Sequence, residues 1–359
     1  MRKIAIVNQK GGCGKTTTAI NLASCLSGEG RKVLLIDLDP QGHSGLGLGA
    51  TPGQIENSIY EVLLGKIPIN EAIQSLRKNL DAIFSDVLLT AFEQVMAGAR
   101  EREYKLEQSL ADIADDYDYL IIDSPPSVGL LTFNGLMVSE EVIIPVDTSS
   151  FSLHGLDKLL NTIKIIEEKT EHYLFIKILA SNIDRRTKFG RHVVEKLKTH
   201  FPENCFKTVI NTCTRLREAA SHGKPIAEYD KRCAAFRDYQ NLTEEVLDDE
   251  AEMKVKTPAF KPLWEAEFLP GQSLEKEIAF TLEASADATV QIAGDFNNWA
   301  PEGLELTESQ GRQVWHKVVS LTPGSYQYKY LLDGRWVLDP ANGQTVDDFF
   351  GGANSVIKV

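Results

Sequence analysis

The sequence predicts two domains of different class: an α/β domain over residues 1–247, its mainly parallel sheet covered by helices on both faces, and an all-β immunoglobulin-like sandwich over 264–359. Three observations predict this. Apolar strand-like runs alternate with longer amphipathic stretches through the first 247 residues, the pattern of buried parallel strands joined by helices. A glycine-rich loop follows the first of those runs at once. After Leu247 the texture changes to short β-like segments punctuated by Pro-Gly, Asp-Gly and Asn-Gly turns.

Strands are expected at Ile4 to Val7, Val33 to Ile36, Tyr119 to Ile122, Val142 to Pro145 and Ile176 to Leu179. Directly after the first comes Gln9-Lys10-Gly11-Gly12-Cys13-Gly14-Lys15-Thr16-Thr17-Thr18. Three glycines in four positions let backbone N–H groups turn toward an anion without the strain a Cβ would bring. Lys15 can reach the β- and γ-phosphates of a nucleotide, and the Thr16 hydroxyl is placed to hold Mg²⁺. The run Thr17 to Ala23 reads as a helix whose positive dipole end faces those phosphates. Strand, glycine loop and helix in this order make a P-loop, so the first domain is expected to have the P-loop NTPase fold, with Lys10, Gly11, Gly12, Cys13, Gly14, Lys15, Thr16 and Thr17 around the nucleotide. Cys13 is expected to be a small apolar filler, with a redox-sensitive thiol as the alternative if the amides lower its pKa.

Two later strands end in carboxylates, at Asp37-Leu38-Asp39-Pro40-Gln41-Gly42 and at Asp123-Ser124-Pro125-Pro126. Ligands of open α/β sheets bind beyond the carboxyl ends of the strands, so these acids should converge on the glycine loop. Asp123 reads as the metal-side carboxylate, with Asp37 a further metal candidate. Only one of Asp37 and Asp39 is expected to face the γ-phosphate unless the chain turns.

The net charge of −13 speaks at first against nucleic acid as a partner, but its distribution is uneven. Between Lys177 and Arg237 there are 14 basic residues against six acids, while acids crowd Glu101 to Asp123 and Glu244 to Glu252. No apolar run approaches the roughly 20 residues that cross a bilayer, and the N-terminus has no cleavable-signal pattern, so no membrane insertion is expected. Five scattered cysteines without a C-x-x-C pair suit a reducing cytoplasm.

Residues 248–263, charged and proline-punctuated, read as a linker. Beyond it, strands are expected at Lys276 to Leu282, Thr289 to Ala293, Gln313 to Val319, Ser325 to Leu332 and Ser355 to Val359. In Tyr326-Gln327-Tyr328-Lys329-Tyr330 the tyrosines share one face, so if they pack inward Lys329 is exposed. Trp299 and Trp336 stand at strand margins, where a large ring is hard to bury. Exposed indoles beside hydrogen-bonding side chains suit a sugar, whose C–H faces stack while its hydroxyls meet polar groups.

The segments K-G-G-C-G-K-T-T, D-L-D-P-Q-G, Y-D-Y-L-I-I-D-S-P-P-S, E-V-I-I-P-V and T-R-L-R-E-A-A-S-H-G-K-P-I-A-E-Y-D, in that order, resemble the ParA/MinD family of partitioning and positioning ATPases. The resemblance implies ATP and Mg²⁺ as cofactors, slow ATP hydrolysis, and a homodimer in the ATP state. Lys10 would then cross to the partner's phosphates, Lys15 would hold its own, and Asp39 would orient the attacking water. It also implies nonspecific DNA binding through Arg215, with Arg185, Arg186 and Lys188 as neighbouring candidates, and a ParB-like or cargo protein that stimulates hydrolysis. Ala220 and His43 depart from the family's usual proline and asparagine.

In the second domain, G-D-F-N-N-W, Y-Q-Y-K-Y, D-G-R-W and N-S-V-I-K-V resemble the glycogen-binding domain of the AMP-activated protein kinase β subunit, a family 48 carbohydrate-binding module. Trp299, Lys329, Trp336 and Asn354 match its sugar-contacting positions and Phe350 a bulky apolar one, implying glycogen or another α-glucan as ligand. A protein-docking module without sugar binding is the alternative. Together these imply a cytoplasmic protein associated with the nucleoid or with glycogen.

Overall fold

The computed structural model describes residues 1–50, 55–148, 152–253, 276–297, 299–309, 312–321, 324–347 and 353–359, and divides into two compact units, Met1–Leu263 and Trp264–Val359. The first unit holds eight strands: β1 (Arg2–Ile6), β2 (Val33–Asp37), β3 (Gln74–Arg77), β4 (Leu80–Ile83), β5 (Tyr119–Asp123), β6 (Glu141–Val146), β7 (Phe175–Ile183) and β8 (Cys205–Asn211). They lie in the order β3-β4-β2-β5-β1-β6-β7-β8, and every neighbouring pair is parallel except β3 with β4. The five expected strands are all present. β3, β4 and β8 were not anticipated, because each is short or half-polar and carries no continuous apolar run.

The central strands are apolar throughout because both faces are covered. Ile4, Ile6, Val33, Leu35, Tyr119, Ile121 and Ile143 point to one side, where helices Lys15–Gly28 and Ala234–Met253 supply Leu22, Leu26, Tyr239, Leu242 and Val246. The alternate residues Ala5, Leu34, Ile36, Leu120, Ile122, Val142 and Ile144 are equally buried on the other side. Helices Leu130–Val138, Ser152–Thr170 and Lys188–His200 pack there.

Helix Ala234–Met253 also closes the edge of the sheet. The backbone N–H groups of Lys207 and Thr208 on β8 donate to the Glu245 carboxylate at 2.8 and 2.7 Å, and that of Asn211 donates to Asp238 Oδ2 at 2.9 Å. An edge satisfied this way cannot recruit a foreign strand through those groups. The helix runs on through Asp248–Glu252, which the sequence pattern assigned to the linker. Asp249 meets Lys177 of β7 at 2.8 Å, a contact from far along the chain that holds this acidic turn in place. Residues 254–263, the remainder of the expected linker, lie outside the described residues.

A buried ion pair fastens the start of the chain. The Arg2 guanidinium donates to Glu141 Oε2 at 3.0 and 2.6 Å and also to the Val246 carbonyl, joining β1, β6 and the closing helix. Burial pushes the Glu141 carboxyl above its ordinary range, and the neighbouring Arg2 charge opposes that shift.

The second unit comprises β9 (Lys276–Glu283), β10 (Val290–Gly294), β11 (Glu302–Gly303), β12 (Glu305–Ser309), β13 (Arg312–Leu321), β14 (Ser325–Leu332), β15 (Arg335–Val337), β16 (Thr345–Asp347) and β17 (Ala353–Lys358). One antiparallel sheet has the order β11-β10-β14-β17-β16, with β15 beside β14, and the other the order β12-β13-β9. Phe280, Leu282, Val290, Ile292, Leu304, Tyr328 and Tyr330 form the core between them. Tyr328 meets Phe280 edge to face with centroids 4.9 Å apart, and the Tyr330 hydroxyl donates to the Thr281 carbonyl at 3.1 Å. The tyrosines of β14 do pack inward, as their alternation predicts.

Arg2→Met should destabilise the protein by about 3–5 kcal/mol in urea unfolding, because Glu141 is left buried without its partner. Adding Glu141→Leu should recover most of that loss.

Candidate functional site

β1 brings the chain to the middle of the sheet, between β5 and β6, and the glycine loop begins just beyond it. Gly12 and Gly14 have φ of 76° and 99°, and a Cβ at Gly14 would lie 2.7 Å from Ser181 Oγ, so this turn needs glycine for both conformation and space. Helix Lys15–Gly28 starts at once, presenting its first N–H groups to the loop. Lys15 is buried and its ammonium donates to the Lys10 carbonyl at 3.0 Å. Lys10 itself pairs with Asp147, just beyond β6, at 2.5 Å. The Cys13 thiol is buried and donates to the Lys10 carbonyl at 3.2 Å. Burial pushes this thiol up in spite of the Lys15 charge, which fits the filler reading and not the reactive one.

The carboxylates converge because β2 and β5 are neighbours in register, with Asp37 directly beside Asp123. β2 stops at Asp37 and the chain turns, so Asp37 and Asp39 are both buried at the same place. The turn that the sequence reading made its exception is present, and it brings both side chains to one place. The Asp39 N–H donates to Asp37 Oδ1 at 2.9 Å and the Ser44 N–H to Asp37 Oδ2 at 3.1 Å. The Ser44 hydroxyl donates to Asp123 Oδ2 at 2.8 Å, so helix His43–Leu48 is bolted at its first turn to both strand ends. Asp39 Oδ1 accepts from the Gln41 N–H at 3.0 Å.

Burial, reinforced by the Asp123 charge, holds the Asp37 carboxyl well above the ordinary range. Burial likewise pushes Asp123 up to about 6, against the pull of the Thr16 and Ser44 hydroxyls and with the help of the Asp39 charge. Asp123 Oδ1 is buried without a protein hydrogen bond. An orphaned carboxylate oxygen near the Thr16 hydroxyl fits a hard divalent cation. Among the described residues no group of three His, Cys, Asp or Glu side chains could hold a metal by itself. A cation here would therefore rest on Thr16, Asp123 and Asp37 and complete its shell with phosphate and water oxygens.

The basic candidates lie at this same end of the sheet, where β7 and β8 finish. Arg185, Arg186 and Lys188 occupy the turn into helix Lys188–His200, and Arg186 is clasped by Asp184 at 2.9 and 2.8 Å. Arg215 is exposed on helix Thr214–Ser221, paired with Glu218 at 2.6 Å and Asp230 at 3.7 Å. That helix abuts helix His43–Leu48 through two glycines: a Cβ on Gly223 would lie 2.5 Å from the Gly49 Cα.

The second unit gathers its candidates on the outer face of its larger sheet. Strand register puts Trp336 opposite Leu331 and Gln327 opposite Val356, and since residues two apart share a face, Trp336, Lys329, Gln327 and Asn354 all point outward together. Trp299 lies against Trp336 with centroids 6.5 Å apart and planes tilted by 63°. Trp336 is 49% exposed, whereas Trp299 is half-buried with φ of 59°. The Trp299 Nε1–H donates to Asp295 Oδ1 at 3.1 Å, and Asp295 Oδ2 accepts from the Gln327 N–H at 2.7 Å. Asn354 Nδ2 donates to Gln327 Oε1 at 2.9 Å. Asp295 and Gln327 are thus parts of the constellation that sequence reasoning missed. Their places, in the loop before Trp299 and two residues before Lys329, were the available signal. Phe350 lies outside the described residues.

Asp123→Asn should stabilise the nucleotide-free protein by about 1–3 kcal/mol, since it removes a buried charge. The folded-state pKa of Asp123 lies above the unfolded one, so the gain should be full above about pH 7 and vanish below about pH 4, where the wild-type carboxyl is protonated in both states. Melting curves of both proteins across that range test this, and a gain independent of pH would contradict it.

Residues 1–176 match a family model described as an AAA domain, and residues 278–359 match the glycogen recognition site of AMP-activated protein kinase. The sporulation initiation inhibitor protein Soj of Bacillus subtilis is 42% identical over 245 residues, 68% of this chain and 97% of that protein. The chromosome-partitioning ATPase Soj of Treponema pallidum is 40% identical over 248 residues, with the same shares covered. Among solved structures, a plasmid partition protein of Borrelia burgdorferi B31 bound to AMPPNP superposes with a TM-score of 0.60 at 28% identity, over 69% of this chain and 99% of that one. Matched along nearly the whole length of these relatives, the chain belongs to the ParA/Soj family of partitioning ATPases, extended by a module of the glycogen-recognition family.

Proposed function

We propose that this protein is an ATP-driven positioning switch: with ATP it dimerises and holds nonspecific DNA, on hydrolysis it lets go, and its C-terminal module carries glycogen or another α-glucan as cargo or anchor. The observation that carries the reading is the presence in one chain of a glycine loop leading into a helix with Asp37, Asp39 and Asp123 gathered at neighbouring strand ends, and of a sheet face bearing paired tryptophans, Lys329 and Asn354.

In this reading Lys15 leaves the Lys10 carbonyl for the β- and γ-phosphates, while the loop amides and the helix N-terminus bind the same anion. Mg²⁺ supplies the positive charge that offsets the triphosphate, and Thr16 and Asp123 would hold it, with Asp37 behind them. Asp39 accepts a hydrogen bond from the attacking water and orients it. Lys10, released from Asp147, extends to the phosphates of the partner subunit and so makes full charge complementation depend on the dimer. Arg215, Arg185, Arg186 and Lys188 serve DNA phosphates, a contact that carries affinity and not sequence. A ParB-like or cargo protein stimulates hydrolysis. The setting is the cytoplasm, on the nucleoid or on glycogen; among the described residues no helix is long and apolar enough to cross a membrane.

Co-sedimentation with glycogen and retardation of nonspecific DNA, each with ATP, ADP and no nucleotide, test the reading. Glycogen should be bound in all three states and DNA only with ATP. Lys15→Ala should lose nucleotide and DNA but keep glycogen, and Trp336→Ala the reverse. DNA binding without glycogen binding would make the module a protein-docking surface. Asp39→Ala should lower ATP turnover by about a hundredfold and accumulate an ATP-bound dimer; turnover at the wild-type rate would remove Asp39 from the water-orienting role.

A further inference from the structure

At the end of the larger sheet of the second unit, away from the tryptophans, a groove of about 660 Å³ opens between β14, β17 and β16. Ser325, Gln327, Gln344, Val346, Val356 and Lys358 line it. Register places it on the tryptophan face. Ser325 pairs with Lys358, Gln327 with Val356, and Val346 with Asn354, so all of these share the outward side with Lys329 and Trp336. Along β14 the distance from Leu331, opposite Trp336, to Gln327, opposite Val356, is four residues, or about 14 Å at the rise of an antiparallel strand. One or two sugar rings seated on the tryptophans do not reach that far.

The lining has the chemistry of a sugar subsite. Val346 and Val356 give an apolar floor, Gln327 and Gln344 add amides and Ser325 and Thr345 hydroxyls, and none of the described residues that line the groove is acidic. A polyol with apolar C–H faces fits such a surface, whereas a phosphorylated or anionic ligand would find, among the described lining residues, a single cation, Lys358. Gln327 joins the groove to the tryptophan site. Its Oε1 is taken by Asn354 and its backbone N–H by Asp295, which also fixes Trp299. The side chain is therefore already ordered, with its Nε2 group left to offer a ligand. We infer that the groove is a second subsite for the same α-glucan chain, so that the module grips a run of sugar residues along β14, from Trp336 past Lys329 and Gln327 to Val346.

This inference rests on the glucan-binding reading above, and calorimetric titration of the full-length protein with maltotriose and with maltoheptaose separates the two. Val346→Glu, which puts a charge on the floor of the groove, should weaken maltoheptaose binding by about fivefold or more and leave maltotriose unchanged. Gln344→Ala, a milder change at the rim, should move maltoheptaose in the same direction and serves if Val346→Glu does not fold. Trp336→Ala should abolish binding of both sugars. If Trp336→Ala abolishes binding while Val346→Glu and Gln344→Ala leave both affinities unchanged, or lower both equally, the second subsite is refuted and the glucan reading stands. If the wild-type protein binds neither sugar, both are refuted.

Discussion

Everything at the nucleotide end of the first unit depends on two carboxylates that the sheet forces together. Parallel pairing of β2 and β5 in register leaves Asp37 no position except beside Asp123, and the helices covering the sheet exclude water from both. Without a cation this arrangement is unfavourable, as the raised carboxyl pKa values record. It is tolerated because backbone N–H groups of Asp39 and Ser44 and the Ser44 hydroxyl face the same oxygens. The turn that carries Asp39 and the helix that follows are therefore shaped around a charge problem, and whatever relieves the problem acts on both.

The second unit uses one carboxylate in the opposite way. Asp295 is half-buried between two donors, the Trp299 indole and the Gln327 backbone, and so fixes a ring and a strand relative to each other. Trp299 is kept in a left-handed conformation that a bulky residue rarely adopts, consistent with a surrounding structure that over-determines it. Aromatic surfaces held this rigidly lose little conformational freedom when they bind.

Much of this was legible in the sequence, for local reasons. The glycine loop is short and its spacing specific, the central strands are apolar on both faces, and Asp123 and Asp37 follow directly on such strands. The alternation of Tyr326, Tyr328 and Tyr330 separated the core from the face of Lys329. What escaped depends on distant parts of the chain. β8 is half-polar and its backbone edge is satisfied by carboxylates of helix Ala234–Met253, and the acidic stretch 248–252 continues that helix, where Asp249 meets Lys177. The pairing of Lys10 with Asp147 spans 137 positions and leaves no mark in either segment. Gln327 is an ordinary residue in an ordinary strand until folding brings Asn354 and Asp295 to it.

Helix His43–Leu48 meets helix Thr214–Ser221 at Gly49 and Gly223, backbone against backbone. Most helix contacts run through side chains, which absorb a small displacement by rotating to another staggered state. Here there is none to rotate. The first helix is pinned at its other end to the strand-end carboxylates through Ser44, and the second carries Arg215 on its exposed side. The junction thus behaves as a mechanical stop with no backlash, and a shift of either backbone toward the other has to be matched or refused.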